Sequence, residues 1–214
     1  MDYQKEIAKA LLKIGAVGFV PDKPITFKSG LVSPVYIDNR KFPFYPYEWS
    51  LVIQGFEALL TEKDISFDII AGIATAGIPH SAALGYSMVK PSVFIRKETK
   101  DHGTQKLIEG GDVSEKKVLL IEDHITTGGS SLKGVAAIRE EKGTVSHCLA
   151  ITSYGFEESN ENFSEAEVDL HTLTTFDHIL TQALADGMFT VDEHEIIKDW
   201  FKDSQGWASK YGHE

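Results

Sequence analysis

Short apolar runs recur along the chain, and they constrain its fold more than any other feature. The runs are FDIIAGIA (67–74), SVFIRK (92–97), VLLIED (118–123), SHCLAIT (146–152) and EVDLHTL (167–173). Before the first run, the apolar residues of 47–62 share one helical face, and further helices are predicted between the runs, across 78–88 and 131–142. Strands that lack polar alternation are covered on both faces. The pattern therefore predicts an α/β fold, in which helices flank a mainly parallel central sheet.

The two ends of the chain predict further elements. Residues 3–14 have helical spacing, and VYIDN (35–39) has the composition of a short strand. Two helices are predicted near the C-terminus, the first capped by Thr174 or Thr175. The second begins at TVDE (190–193), which has the form of a capping box. The acidic residues within 192–195 are therefore interpreted as the solvated start of this helix rather than as a metal site.

Charge and cysteine content narrow the classes of function. The formal net charge of −11 argues against a nucleic acid partner. Residues 1–17 contain no long apolar run, so neither a signal peptide nor a membrane span is predicted. Cys148 is the one cysteine of the sequence, which leaves no internal disulfide and favours a cytoplasmic location, and it is expected to be a packed thiol. A length of 214 residues with 42% hydrophobic content predicts a single domain over 1–214.

The segment VLLIEDHITTGGSS (118–131) carries the main functional signal. We expect Glu122 and Asp123 at the water-accessible carboxyl end of a strand, where ligands of such sheets bind. The small and hydroxyl residues behind them are Thr126, Thr127, Gly128, Gly129, Ser130 and Ser131. A helix that starts there offers free N–H groups to an anion, although the spacing is not that of a Walker A loop. Because two carboxylates repel a phosphate, we predict that a ribose lies between the acids and the phosphate. The turn is then expected to bind the 5-phosphate, and the two acids to bind the two ribose hydroxyls.

A second segment, FIRKETKDHGTQKLIEG (94–110), is locally positive in an acidic protein. Its cations are Arg96, Lys97, Lys100 and Lys106. A basic loop that can close suits a departing pyrophosphate, whose charge must be neutralised as the bond breaks. The residues alone leave a solvated loop of mixed charge as an equal alternative.

Together these segments resemble a known family. VLLIEDHITTGGSS is similar to the phosphoribosyl pyrophosphate (PRPP) motif of type I phosphoribosyltransferases, and RKETKDHG (96–103) resembles the flexible catalytic loop of the orotate phosphoribosyltransferases. The resemblance implies that Lys100 and His102 are catalytic and that the loop at 97–110 reaches the neighbouring subunit of a homodimer. The residues it assigns to PRPP are Arg96, Lys97, Lys100, His102, Glu122, Asp123, Thr126, Thr127, Gly128, Gly129 and Ser130.

Two other segments extend the likeness. FKSGLVSPVYIDNR (27–40) is similar to the family's orotate-side segment, which implies orotate binding by Lys28 and Tyr36, with Thr126 also in contact. AGIATAGIPHSAALG (71–85) resembles its pyrophosphate loop. The family fold has a small hood subdomain, expected here from the N- and C-terminal segments. The implied reaction converts PRPP and orotate to orotidine 5-monophosphate and pyrophosphate in UMP biosynthesis, with Mg²⁺ carried mainly by PRPP and no direct protein ligands to the metal.

The sequence departs from the family pattern in three places. His124 stands where an apolar residue is common, and we expect it to pack. Thr75 and Ala76 replace a lysine of the pyrophosphate loop, and residues 152–158 lack an arginine found near orotate, a role we hypothesise for Arg40. Two alternatives keep the fold: a purine or uracil phosphoribosyltransferase, and a PRPP-sensing regulator that binds nucleic acid.

Overall fold

The computed structural model describes residues 1–26, 30–98 and 106–213. Its α-helices are α1 (Tyr3–Lys13), α2 (Pro46–Glu62), α3 (Gly77–Met88), α4 (Gly129–Glu140), α5 (Glu157–Glu165), α6 (Phe176–Ala185), α7 (Val191–Lys202) and α8 (Trp207–Tyr211). Its strands are β1 (Val17–Phe19), β2 (Ile25–Thr26), β3 (Val32–Ser33), β4 (Val35–Ile37), β5 (Ile69–Ile73), β6 (Ser92–Ile95), β7 (Ile108–Glu109), β8 (Lys117–Ile125), β9 (Thr144–Ser153) and β10 (Asp169–Thr175). A 3-10 helix, Asn39–Phe44, follows β4. No helix in the described ranges is both long and apolar enough to cross a membrane.

The central sheet has six strands in the order β10-β9-β8-β5-β6-β7. Every neighbouring pair is parallel except β6 and β7. This arrangement confirms the mainly parallel sheet that the apolar runs predict. Because the parallel strands all end at one edge, the segments after β5, β6 and β8 meet there.

Alternate residues of the central strands enter two cores. Leu119 and Leu149 pack on the side of α1 and α2, whereas Leu120 and Cys148 pack on the side of α4. Burial on both faces explains why these strands lack polar alternation. Cys148 is fully buried, as expected for a packed thiol, and burial raises the pKa of its thiol.

The terminal segments lie against each other beside the sheet. Strands β1 and β4 pair antiparallel, as do β2 and β3. The indole of Trp200 on α7 donates a hydrogen bond of 2.8 Å to the carbonyl of Val32 on β3. The ring centroids of Phe19 on β1 and Phe189 before α7 are 4.7 Å apart. The predicted capping box is confirmed, since Thr190 and Glu193 exchange both hydrogen bonds.

The structure corrects several element predictions. Strand β8 continues to Ile125, so the acidic pair lies within it, and α4 begins at Gly129, two residues before the predicted start. Helix α5 was not predicted, because only Ser159 and Phe163 are buried on it and its apolar period is weak. The short α8 makes a third C-terminal helix. Thr175 stands at the cap of α6, but its side chain makes no capping hydrogen bond.

Candidate active site

The acidic pair lies in the second half of β8. Glu122 is only 6% exposed, whereas Asp123 is half-buried. One carboxylate oxygen of Glu122 accepts a hydrogen bond of 3.1 Å from the backbone N–H of Asp123, and the other lies 3.5 Å from the hydroxyl of Ser131. The expectation that water reaches both acids is wrong for Glu122, because the strand and the start of α4 cover it.

Burial changes the protonation of this pair. Burial and, to a smaller extent, the adjacent Asp123 charge together raise the pKa of Glu122 to about 9. Burial also raises the pKa of Asp123. Two neighbouring carboxyls in a site of low polarity cannot both be ionised cheaply. The pair is therefore suited to a ligand that brings hydrogen-bond donors or positive charge.

Asn39 fixes the backbone at the acidic pair. Its amide donates hydrogen bonds of 2.7 Å each to the carbonyl of Asp123 and to the hydroxyl of Thr152 on β9. Asn39 is fully buried. Asn39 was not predicted as a site residue, because residues 35–39 have the composition of a strand and a lone asparagine carries no periodic signal. The only signal was its place directly after an apolar strand.

Neighbouring charges also act on the pair. The guanidinium of Arg40 donates a hydrogen bond of 2.6 Å to Asp38, and this holds the pKa of Asp38 below its usual value. Arg40 is close enough to oppose, by its charge, the rise in the pKa of Asp123. Arg40 thus lies at the same edge as the acids, with an exposed side chain.

His124 packs, as the sequence analysis expected. Its Nδ1 is 2.9 Å from the hydroxyl of Thr152, and its ring meets that of Tyr154 edge-on at 4.4 Å between centroids. Burial lowers the pKa of His124 to about 4, which keeps the imidazole neutral near pH 7. His124 therefore adds no positive charge beside the acids.

The turn after β8 requires glycine at one position. Gly128 has a φ of +86°, and a Cβ there would lie 2.6 Å from the ring of Phe163. Gly129, by contrast, has no heavy atom within 4 Å of a Cβ position. The side chain of Asn162 donates a hydrogen bond of 3.0 Å to the carbonyl of Thr127, which ties the turn to α5. The exposed start of α4 at Gly129 and Ser130 presents unpaired N–H groups, as the anion-site prediction requires.

The loop between β5 and α3 lies against the acidic strand. A Cβ on Gly77 would lie 2.6 Å from the carbonyl oxygen of Ile121 and 3.4 Å from Cα of Glu122. This close approach is possible because Gly77 has no side chain. Thr75, on the same loop, is exposed, and the Ala74–Thr75 peptide is cis. The structure thus brings together the two small-residue loops that the sequence singled out.

The basic segment is only partly described. Arg96 follows β6, and its guanidinium is 3.5 Å from the carboxylate of Glu109, while Lys97 is exposed. The Nζ of Lys106 is 2.7 Å from a carboxylate oxygen of Glu141, the residue that follows the end of α4. A helix of this length is roughly 18 Å long, so Lys106 is drawn away from the turn at the start of α4 and does not join the expected cationic group. Lys100 and His102 lie outside the described residues.

The proposed orotate-side residues are likewise partly described. Tyr36 on β4 pairs with Gly18 on β1, and its ring fills the space that a side chain on Gly18 would occupy. The half-exposed ring of Tyr36 is thus fixed on β4. Asn39, three residues later in the chain, contacts the backbone of the acidic pair. Lys28 lies outside the described residues.

Comparisons with known proteins agree on one group. The family described as "Phosphoribosyl transferase domain" matches residues 51–179. The orotate phosphoribosyltransferase of Cytophaga hutchinsonii is 39% identical over 207 residues, which is 97% of this chain and 99% of that protein. The crystal structure of orotate phosphoribosyltransferase from Aeropyrum pernix has a TM-score of 0.73 and 28% identity, and the match covers 86% of this chain and 99% of that one. The structure of Leishmania donovani UMP synthase has a TM-score of 0.81 at 24% identity, and the match covers 93% of this chain but 42% of that longer chain.

Proposed function

Since this chain belongs to the orotate phosphoribosyltransferases, we propose that its Glu122–Asp123 pair and the turn behind it hold PRPP for transfer. The reaction moves the 5-phosphoribosyl group from PRPP to orotate and gives orotidine 5-monophosphate and pyrophosphate, a step of UMP biosynthesis. The observation that supports this site best is the buried Glu122 and half-buried Asp123 beside the exposed, glycine-rich start of α4. A sugar phosphate offers hydroxyls to the first feature and an anion to the second.

Glu122 and Asp123 accept hydrogen bonds from the two ribose hydroxyls. These donors relieve the unfavourable burial that raises the pKa of both carboxyls. The 5-phosphate lies against the turn, where its ligands are Thr126, Thr127, Gly128, Gly129 and Ser130. Charge-assisted hydrogen bonds of about 1.5–3 kcal/mol each hold it more strongly than the helix dipole, which contributes about 0.3–1 kcal/mol.

The chemical step breaks the bond between the anomeric carbon and the pyrophosphate oxygen and forms a bond from that carbon to a ring nitrogen of orotate. Negative charge grows on the leaving oxygen, so cations placed there lower the barrier. Arg96 and Lys97 bind the pyrophosphate, together with the catalytic Lys100 and His102. The backbone of the loop around Thr75 adds N–H donors, which compensates for the lysine missing there.

Orotate binds next to the ribose, against Lys28, Tyr36 and Thr126. It binds as its anion, so the reaction needs no general base. Arg40 is our candidate for its carboxylate, because Arg40 lies at the same edge as Asp123 and is exposed. If Arg40→Ala left the KM for orotate unchanged, this role would be excluded.

Mg²⁺ is proposed to arrive on PRPP. The side chains at the acidic pair offer carboxylate and hydroxyl oxygens, the donors that Mg²⁺ prefers. Glu122 and Asp123 would hold it through the ribose hydroxyls and water rather than as direct ligands. When bound, it supplies positive charge against the pyrophosphate oxygens.

A substrate panel tests the function. The purified protein is mixed with PRPP, Mg²⁺ and orotate, hypoxanthine or uracil in turn, and the ultraviolet absorbance of each base is followed. Consumption of orotate alone is expected. Consumption of hypoxanthine or uracil instead would contradict the proposal, and tight PRPP binding without turnover of any base would favour a regulator.

The active unit is proposed to be a cytoplasmic homodimer of single-domain subunits, in which the loop at 97–110 completes the neighbour's site. Large apolar side chains are exposed at the start of α2 and the end of α3: Phe44 and Tyr47 are 82% and 71% exposed, and Tyr86 and Val89 are each 90% exposed. Exposed apolar groups of this size are typical of a subunit interface. The small sheets β1–β4 and β2–β3, with α7 and α8, form the hood over the base.

A hybrid dimer tests the shared loop. Lys100→Ala and Asp123→Asn subunits are given different tags, and the heterodimer is isolated. If the loop acts across the interface, one of its two sites combines intact acids with an intact loop, and the heterodimer has about half of wild-type activity, although both parent homodimers are nearly inactive. A heterodimer as inactive as the parents would show that the loop acts within its own subunit, and failure to isolate any dimer would refute the homodimer.

A further inference from the structure

A second polar cluster lies at the opposite end of the central sheet. It consists of His147 on β9 with Asp169 and His171 on β10. Asp169 is the register partner of His147, and His171 lies two residues further along the same strand, so all three side chains share one face of the sheet. From His147 to Thr152, which contacts His124, the strand spans roughly 17 Å. The cluster is therefore separate from the PRPP site.

The distances among the three side chains match those of a metal ligand set. The Nδ1 of His147 is 3.4 Å from Nε2 of His171 and 3.6 Å from a carboxylate oxygen of Asp169, and the three ligand atoms all lie within 4.8 Å of one another. Ligand atoms bonded at about 2.0–2.2 Å in a tetrahedral zinc site are roughly 3.4 Å apart. Two of the separations thus need almost no adjustment, and the third can shorten because Asp169 is exposed on the strand edge.

The surroundings keep the imidazoles available as ligands. Their rings are stacked with centroids 5.6 Å apart. Burial and the neighbouring His147 lower the pKa of His171, while the Asp169 charge acts in the opposite direction and Lys63, at the end of α2, adds to the lowering. The carboxylate of Asp169 is 74% exposed, which leaves room for a water as fourth ligand.

We propose that His147, Asp169 and His171 bind a first-row divalent transition metal ion, with Zn²⁺ the expected occupant. Two imidazole nitrogens and one carboxylate oxygen suit Zn²⁺ and disfavour the Mg²⁺ carried by PRPP. The bound ion links the edge strand β10 to β9. It stabilises the folded chain by an amount that grows with the logarithm of the free ion concentration above Kd, because the unfolded chain does not hold these residues together.

Metal titration of the full chain tests the site. The protein is stripped with a chelator, and Zn²⁺ binding is followed by calorimetry in the presence of excess Mg²⁺, with one strong site expected. Co²⁺ should give the intense visible absorption of a tetrahedral complex. Zn²⁺ should also raise the Tm. Since loss of an outer-sphere partner alone lowers metal affinity about 10–100-fold, His147→Gln, His171→Gln or Asp169→Asn should weaken Zn²⁺ binding at least tenfold and remove the Tm shift.

His178→Gln is the matched control, because His178 is an exposed histidine on α6 whose ring contacts Thr175 and not the cluster. It should bind Zn²⁺ as the wild type does. The proposal is overturned if wild-type protein has no strong Zn²⁺ site, or if the three cluster variants retain it. X-ray absorption spectroscopy of the zinc-loaded wild type tests the ligand assignment without any variant. A zinc coordination shell without two imidazoles would refute the assignment.

Discussion

Replacing Glu122 by glutamine should make the folded chain more stable, and increasingly so as the pH rises. Glu122 is 6% exposed, and burial raises its pKa to about 9 from an ordinary value near 4.5. Between these two values the folded chain holds a proton on Glu122 that the unfolded chain has lost. Folding therefore becomes less favourable with each pH unit in that window.

The magnitude follows from the width of the window. Each pH unit costs at most about 1.4 kcal/mol, so by pH 7 the carboxyl has lowered the free energy of unfolding by up to about 3 kcal/mol relative to pH 4.5. That figure depends only on the folded pKa staying above 7, and coupling to Asp123 makes it an upper bound. Glutamine has nearly the same shape and no charge, so Glu122→Gln removes this cost.

Urea unfolding at several pH values between 5 and 8 measures the effect. The stability of Glu122→Gln minus that of wild type should grow with pH, with a slope of up to about 1.4 kcal/mol per unit. Glu161→Gln is the control, because Glu161 is exposed on α5, and its profile should run parallel to that of wild type. Parallel profiles for Glu122→Gln as well would show that Glu122 is ionised in the free protein, and the account of a pair awaiting hydrogen-bond donors would be wrong.

Four further substitutions probe the turn after β8, the buried Asn39 and the packing of α7. Gly128→Ala places a methyl group against Phe163 at positive φ, so it should lower the Tm and raise the KM for PRPP. Gly129→Ala meets no protein atom within 4 Å, so it should leave the Tm almost unchanged. Asn39→Ala removes two buried hydrogen bonds of 2.7 Å each, so it should lower the free energy of unfolding by about 2–3 kcal/mol in a urea titration. It should also lower kcat/KM. An unchanged unfolding midpoint would contradict the anchoring role of Asn39. Trp200→Phe loses the bond to a β3 carbonyl and should cost about 1 kcal/mol in the same titration, while a loss below a few tenths would show that this contact contributes nothing.

The sequence predicted the sheet because burial on both faces gives the central strands β5 and β8 long apolar runs. Leu119 and Leu120 point to opposite cores, and both must be apolar. The turn at Gly128 was equally visible, because positive φ and a neighbouring ring both demand glycine. These features depend on local composition, which a sequence displays directly.

What the sequence could not predict depends on contacts between distant segments. Asn39 and Asp123 are 84 residues apart, and no local pattern links them. The burial of Glu122 was missed because it depends on how far β8 continues and on where α4 begins. Lys106 was grouped with the cationic loop by proximity in sequence, but its partner Glu141 is 35 residues away.

The amide of Asn39 joins the segment that carries Tyr36 to the strand that carries the acidic pair. In the proposed site, the base and the ribose would therefore bind to two segments that this one amide joins. A substitution that reorients the ring of Tyr36 for a different base would also displace the carboxylates of Glu122 and Asp123. In a chain built this way, altering the choice of base without loss of rate would require compensating changes on both sides of that amide.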